Sequence, residues 1–369
     1  MVEDPRYAWL ALGRIPGIGP VLFRRLIEKF QSPEQVFQAG LAALRATPGL
    51  VEKTARAIAR FQGDGSVEKE IEALDRLGAR LLTLQDPDYP PLLAGIYDPP
   101  PFLYCLGQGS WENRPVIAVV GSRNASDYGR KITERLAYGL AQAGVVVVSG
   151  LARGVDTAAH SGALIAKGCT VAVLGSGLDV IYPSENRKLF EQITESGLVC
   201  SEFPLGALPE RPHFPIRNRI ISGLSLGVVI VEATQHSGSL ITARLALEQG
   251  REVFAVPGSV ESFKSSGTHG LIKQGAKLVE HAQDILDEIP GKYPRSFPGQ
   301  ECSPPASPVP ERLSEDQRRI WELLATGAKQ IDPIARETGL AVGILLSQLL
   351  DMELKGVIKQ LPGKYFERK

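Results

Sequence analysis

The sequence predicts an α/β fold: a mostly parallel sheet with helices on both faces, a small helical domain before it and a winged-helix domain after it. Three observations carry this. From Pro115 to Ile289, apolar β-branched runs alternate with helical stretches. Residues 1 to 65 show apolar positions three and four apart and no such runs, and Leu313 to Lys369 read as three helices followed by a glycine-bounded hairpin. Alternation of the first kind is the pattern of strands joined by crossover helices.

The helical front, 1–65, carries two similar turns, Ile15-Pro16-Gly17-Ile18-Gly19-Pro20 and Thr47-Pro48-Gly49-Leu50. The first is like the Gly-x-Gly hairpin of helix-hairpin-helix modules; the second lacks the second glycine. Residues 66–112 contain Asp86-Pro87-Asp88-Tyr89-Pro90-Pro91 and Pro99-Pro100-Pro101, a proline density that favours extended chain laid on the next domain. The sheet domain, 113–289, should take its strands from Val116 to Val120, Val145 to Val148, Val171 to Leu174, Leu198 to Cys200, Val228 to Val231, Val253 to Val256 and Lys277 to Val279. A linker, 290–310, holds seven prolines in 21 residues, which predicts disorder or polyproline chain. The tail, 311–369, reads as helices over Glu315 to Leu324, Ile331 to Thr338 and Val342 to Met352, then a hairpin marked by Gly356 and Gly363.

Composition bounds the function. The 369 residues suffice for two or three domains, and 43% hydrophobic with 22% charged content is ordinary for globular chains. No apolar run approaches the roughly 18 residues of a membrane span, and the first residues lack the layout of a signal peptide, so a cytoplasmic protein without a membrane partner is expected. Four scattered cysteines (Cys105, Cys169, Cys200 and Cys302) predict reduced thiols and no metal site. Net charge is zero, so any affinity for nucleic acid must come from a local patch.

Such a patch is predicted at the carboxyl ends of the strands. Small-residue turns follow or adjoin them: Gly121-Ser122-Arg123, Gly175-Ser176-Gly177 and His236-Ser237-Gly238-Ser239. Loops after parallel strands gather along one edge, where helix starts aim unpaired N–H groups at anions. Arg123 should project over that edge, and Ser126 should cap the next helix with N–H groups left free. A basic helix start, Phe214-Pro215-Ile216-Arg217-Asn218-Arg219, adds to the groove. If Pro215 opens the helix, Arg217 and Arg219 lie in its first turn, against the macrodipole, which suggests an anion arriving from outside. They are about 200° apart around the axis. One should face the ligand, while the other braces the loop or contacts a second subunit; the alternative pairs both with Glu202 or Glu210. Phe214 could stack a base or serve as an apolar plug.

Other phosphate chemistries find no support. The first turn lacks Gly-x-Gly-x-x-Gly and the second strand ends in Ser149-Gly150 without an acid, so no dinucleotide cofactor is expected; a P-loop is also absent. Asp156 and His160, one helical turn apart, form a local polar pair that could serve acid-base or metal chemistry or simply tie the structure together.

Several ordered motifs closely resemble the bacterial DNA-processing protein A (DprA/Smf) family. They are Val119 to Arg123 with Tyr128-Gly129, Ser149 to Asp156 with His160, Leu174 to Asp179 with Tyr182-Pro183, Phe214 to Ser225, Ser237 to Ala243, and Val256-Pro257-Gly258. The resemblance implies a Rossmann-like core, a SAM/helix-hairpin-helix-like front and a winged-helix tail. It also implies a homodimer that binds single-stranded DNA, with no catalysis and no cofactor, and that loads the RecA recombinase past single-strand binding protein during natural transformation. Candidate DNA contacts are Gly121, Ser122, Arg123, Phe214, Arg217, Asn218, Arg219, Ser237, Gly238, Ser239 and Lys273. Two departures stand out: His269 occupies a place where the family has Asn, and the predicted recognition helix, Ala341 to Met352, has no Lys or Arg. A nucleotide phosphoribohydrolase with a related sheet is the competing class, but its Pro-Gly-Gly-x-Gly-Thr-x-x-Glu motif would fall on His236 to Ala243, where no Glu is present.

Overall fold

The computed structural model describes residues 4–289, 313–324, 329–355, 357–361 and 364–368. The proline-rich stretch 290–310, with Gly356 and Gly363, lies outside the described residues. The chain divides into two compact units, Met1–Pro294 and Arg295–Lys369.

The first unit opens with helices α1 (Arg6–Gly13), α2 (Pro20–Phe30), α3 (Pro33–Gln38), α4 (Leu41–Arg45), α5 (Glu52–Ala59) and α6 (Ser66–Leu77). Proline at the first position suits the start of α2 and α3, and the Ser32 hydroxyl caps α3 by accepting from the Gln35 N–H at 3.3 Å. The two similar turns precede α2 and α5, each through a positive-φ glycine, Gly17 at 91° and Gly49 at 83°. Gly17 abuts Thr54 of α5 and Gly49 abuts Arg25 of α2, so each hairpin is packed by the second helix of the other. Ile18 and Leu50 are buried at matching places, and Trp9 stacks on Phe23 at 5.5 Å between ring centroids.

Residues 66–112 differ from the extended chain expected. Their prolines begin at Pro87, which leaves 66–77 free to form α6, and the segment supplies strands β1 (Arg80–Thr83) and β2 (Phe102–Leu106) around the short α7 (Pro91–Ala94). The remaining strands are β3 (Val116–Gly121), β4 (Val146–Ser149), β5 (Thr170–Val173), β6 (Leu198–Ser201), β7 (Gly227–Val231), β8 (Glu252–Ala255) and β9 (Lys277–Leu278). Every one falls within a residue of its expected ends. Helices α8 (Asp127–Gln142), α9 (Val155–Ile165), α10 (Arg187–Ser196), α11 (His213–Leu224), α12 (Gly238–Glu248), α13 (Ser266–Lys273) and α14 (Ala282–Leu286) complete the unit.

The sheet order is β1-β2-β6-β5-β4-β3-β7-β8-β9, antiparallel at β1 and β2 and parallel from β6 to β9. The continuous valine and isoleucine runs reflect burial on both faces. The helical front shares this core: Leu10, Ala11, Ile71 and Leu74 cluster with Tyr104, Leu174 and Phe190. Successive strands step one way from β3 to β6 and the other way from β7 to β9. The carboxyl ends of β3 and β7 therefore flank the topological switch point, where open α/β sheets place ligands.

In the second unit, α15 (Glu315–Leu323), β10 (Lys329–Gln330), α16 (Ile331–Thr338), α17 (Val342–Leu354), β11 (Ile358–Leu361) and β12 (Tyr365–Arg368) form the winged helix that the sequence predicts. Ser314 and Gln317 cap α15 reciprocally. Ile320, Trp321, Ile334, Leu345, Leu349, Met352 and Phe366 make its core.

Candidate nucleic-acid interface

The turn after β3 is fixed by close backbone approach. A side chain on Gly121 would overlap the Val231 carbonyl of β7, and one on Gly154 would overlap the Ser122 carbonyl. The Ser122 N–H donates to the Val231 oxygen at 3.3 Å, and the Val155 N–H donates to the Ser122 oxygen at 3.2 Å. The loops after β3, β4 and β7 thus hold one another, and the exposed Arg123 leaves this rigid base. Its guanidinium lies 4.8 Å from the centre of the Phe214 ring, and Tyr182, 46% exposed, lies 5.9 Å from the same ring. A cation and two rings are therefore presented together at the strand ends.

The start of α8 departs from expectation. Ser126 does cap the helix, accepting from the Gly129 N–H at 3.0 Å, but its N–H groups are not all left free for an outside anion. The Glu232 carboxylate, at the end of β7, accepts from the Ser126 N–H at 2.8 Å and from the Ser126 hydroxyl. The anion favoured by the helix dipole is the protein's own. Glu232 reaches it through a left-handed backbone, φ 49°.

Arg217 and Arg219 require correction as DNA contacts. Helix α11 begins at His213, not Pro215, so both arginines lie beyond its first turn. Both are buried, at 3% and 5% exposure. Their angular separation sends them to opposite sides, but both sides are protein. Arg217 donates to the Gly150 carbonyl at 2.7 Å and to the Val173 carbonyl, tying together the ends of β4 and β5. Arg219 pairs with Glu202 and, at 3.3 Å, with Asp98. Burial pushes the Glu202 carboxyl up to about 7, against the pull of the Arg219 charge.

Ser239 also moves out of the interface as a side chain, since its hydroxyl is buried. Ser237 closes the turn after β7 by accepting from the Thr234 N–H at 2.8 Å, while Gly238 is exposed at the start of α12. Asn218 is half-buried on α11. Lys273 is exposed but displaced. Helix α13 starts at the strand ends, where the Gly267 N–H donates to the Ala233 oxygen at 2.7 Å, and then runs back along the sheet. Its last turn is roughly 10 Å from its start at 1.5 Å per residue.

Asp156 and His160 face inward. Asp156 accepts from the N–H groups of Gly150 and Ala152 at 3.1 and 3.3 Å. Burial raises its carboxyl, opposed chiefly by the Arg217 charge. Burial holds His160 down at about 3, so its ring is neutral near pH 7. Nε2 accepts from the Leu151 N–H at 3.3 Å, which leaves Nδ1–H to donate to Thr170 at 2.8 Å, and Thr170 in turn donates to the Val147 carbonyl. The pair anchors the loop after β4. Among the described residues no cluster of three His, Cys, Asp or Glu could hold a metal.

Sequence reasoning missed Glu232, Lys264 and the packing of Tyr182 on Phe214. Lys264 donates to the Asn124 carbonyl at 2.7 Å across the end of β7. Glu232 and Lys264 carried no motif, and the motifs that hold Tyr182 and Phe214 did not show that the two rings meet. The recognition helix α17 contains no basic residue and exposes Ile344, Leu346 and Leu350.

Fold and site together define a Rossmann-like protein whose strand-end edge offers a cation and aromatic rings where a dinucleotide enzyme would keep its pocket. Family models agree with all three parts: DNA recombination-mediator protein A over residues 80–290, the DprA winged helix domain over 304–364 and the DprA-like N-terminal HHH domain over 3–73. The chain belongs to the DprA/Smf family. Protein Smf of Synechocystis is 36% identical over the whole of both chains, and DNA processing protein DprA of Streptococcus pneumoniae is 49% identical over 56% of this chain and 73% of its own. The crystal structure of the S. pneumoniae protein superposes with a TM-score of 0.70 at 38% identity, covering 79% of this chain and all of that one. A Helicobacter pylori DNA processing protein A, described with its single-stranded DNA binding mode, gives 0.51 at 34% identity, covering 56% of this chain and 94% of that one.

Proposed function

We propose that this chain binds single-stranded DNA without sequence preference along the carboxyl ends of β3 to β7, protects incoming strands and loads the RecA recombinase on them in transformation and recombination. In this reading it works as a cytoplasmic homodimer, delivers strands to RecA past single-strand binding protein and uses no cofactor. The observation that carries the reading is the exposed Arg123 guanidinium on the face of Phe214, a cation for phosphate beside a ring for a base, a pairing that reads no base edge. The single-stranded DNA binding mode described for the H. pylori relative supports it.

The test is affinity against salt. Two to four phosphate contacts should give a slope of about −1.4 to −2.8 in log K against log salt. Arg123→Ala should weaken binding by about 1.5–3 kcal/mol, the range for a hydrogen bond to a charged group, and flatten that slope. Salt-independent binding, or one strongly preferred sequence, would refute the proposal.

We also infer that the chain is not an enzyme. Asp156 is committed to backbone N–H groups, His160 to a backbone N–H and the Thr170 hydroxyl, and the 236–243 turn has no Glu. Incubation of the purified protein with ATP or nucleoside monophosphates should release neither phosphate nor base above a blank. Turnover that vanishes in Asp156→Asn would contradict this.

A further inference from the structure

Beyond Arg123 the strand-end edge continues to β8. The loop after β8, from Pro257 to the 3-10 turn Phe263–Ser265, leaves two large apolar side chains in solvent, Val260 at 89% and Phe263 at 72% exposure. The loop carrying them is not slack. The Tyr128 hydroxyl donates to the Pro257 carbonyl at 2.9 Å, His269 Nε2 lies 3.0 Å from the Gly258 oxygen, and Lys264 Nζ reaches Asn124 next to Arg123. A ring held out by an anchored loop, with a lysine at its side tied to the arginine's own turn, is placed to serve whatever Arg123 serves.

We infer that Phe263 is a base-stacking platform at the β8 end of the DNA path, with Phe214 and Tyr182 at the other end and Lys264 and Arg123 supplying the charge between. Across β8, β7, β3, β4 and β5 the path spans four strand spacings, roughly 19 Å. Rings accept any base, so stacking at both ends suits sequence-tolerant capture of a single strand. The inference rests on the single-stranded DNA reading above and adds a residue and a direction to it.

The test compares Phe263→Ala, Phe263→Tyr and Arg123→Ala in the full chain, using a labelled oligothymidine and an abasic strand of the same length. Phe263→Ala should bind oligothymidine about 5- to 150-fold more weakly, the loss of one stacked base. It should bind the abasic strand as the parent does, and Phe263→Tyr should restore the difference. Phe263→Trp should be quenched by oligothymidine and not by the abasic strand; Trp9, Trp111 and Trp321 are buried and should contribute little to the change. Unchanged binding by Phe263→Ala alongside a loss in Arg123→Ala would overturn the platform while leaving the groove in place. Unchanged binding by both would overturn the groove as well. A shift in sedimenting mass for Phe263→Ala would assign the ring to a contact between copies and would also overturn the inference.

Discussion

Arg217→Ala should lower the unfolding free energy of the first unit by about 3–5 kcal/mol, the usual cost of removing one partner from a buried charged network. Arg217 donates to the Gly150 and Val173 carbonyls and is the positive charge that most offsets the burial of Asp156. Its loss leaves two carbonyls without donors, a carboxylate without its counter-charge, and a cavity against Gly150, whose own lack of a side chain makes room for the guanidinium. Arg217→Lys should recover little, since a single ammonium on a flexible stem does not reproduce the planar fork. Thermal unfolding followed by circular dichroism provides the measurement. A variant that melts like the parent but loses DNA affinity with a flatter salt slope would return Arg217 to the binding surface.

Arg219→Ala should cost a similar amount, with a signature in pH that Arg217→Ala lacks. Glu202 is largely withdrawn from solvent, with 12% of its side chain exposed, and its folded value near 7 stands above the 4.5 of a free glutamate. A carboxyl raised on folding binds protons more readily in the native state, so its contribution is complete below about 4.5 and is lost as pH rises through about 7. The shift amounts to on the order of 3 kcal/mol. Glu202→Gln should flatten this fall in melting temperature between about pH 5 and 8. Arg219→Ala should steepen it, because Asp98 then adds repulsion that no guanidinium offsets. Combining the two substitutions should cost less than their sum, since the neutral amide introduced by Glu202→Gln no longer needs a counter-charge. A melting temperature as insensitive to pH in the parent as in Glu202→Gln would show that Glu202 titrates normally.

Much of the fold was legible in the sequence because parallel strands buried on both faces leave continuous apolar runs, and Val116 to Val120 or Val228 to Val231 admit few other readings. The two antiparallel strands, β1 and β2, were not. Arg80–Thr83 and Phe102–Leu106 are short, antiparallel and set among prolines, and their partners are fixed by tertiary contacts. The site divides in the same way. Gly121-Ser122-Arg123 was readable because close backbone approach admits only glycine there. Arg217 and Arg219 were misread because their spacing shows that they diverge but says nothing of what each meets; their partners, Gly150, Val173, Glu202 and Asp98, come from four separate segments. Glu232 left no trace, since its role depends on β7 lying beside β3, a neighbour more than 100 residues away.

That glutamate has a further meaning. In parallel sheets of this kind, the crevice between the two central strands and the first helix start is where the pyrophosphate of a nucleotide rests. Here a carboxylate fixed by the chain itself already lies there. A free nucleotide would have to displace a tethered anion whose effective concentration is far above its own. Free nucleotides should therefore compete poorly for this edge: whatever strand it holds, it should hold as firmly at high nucleotide concentration as at low.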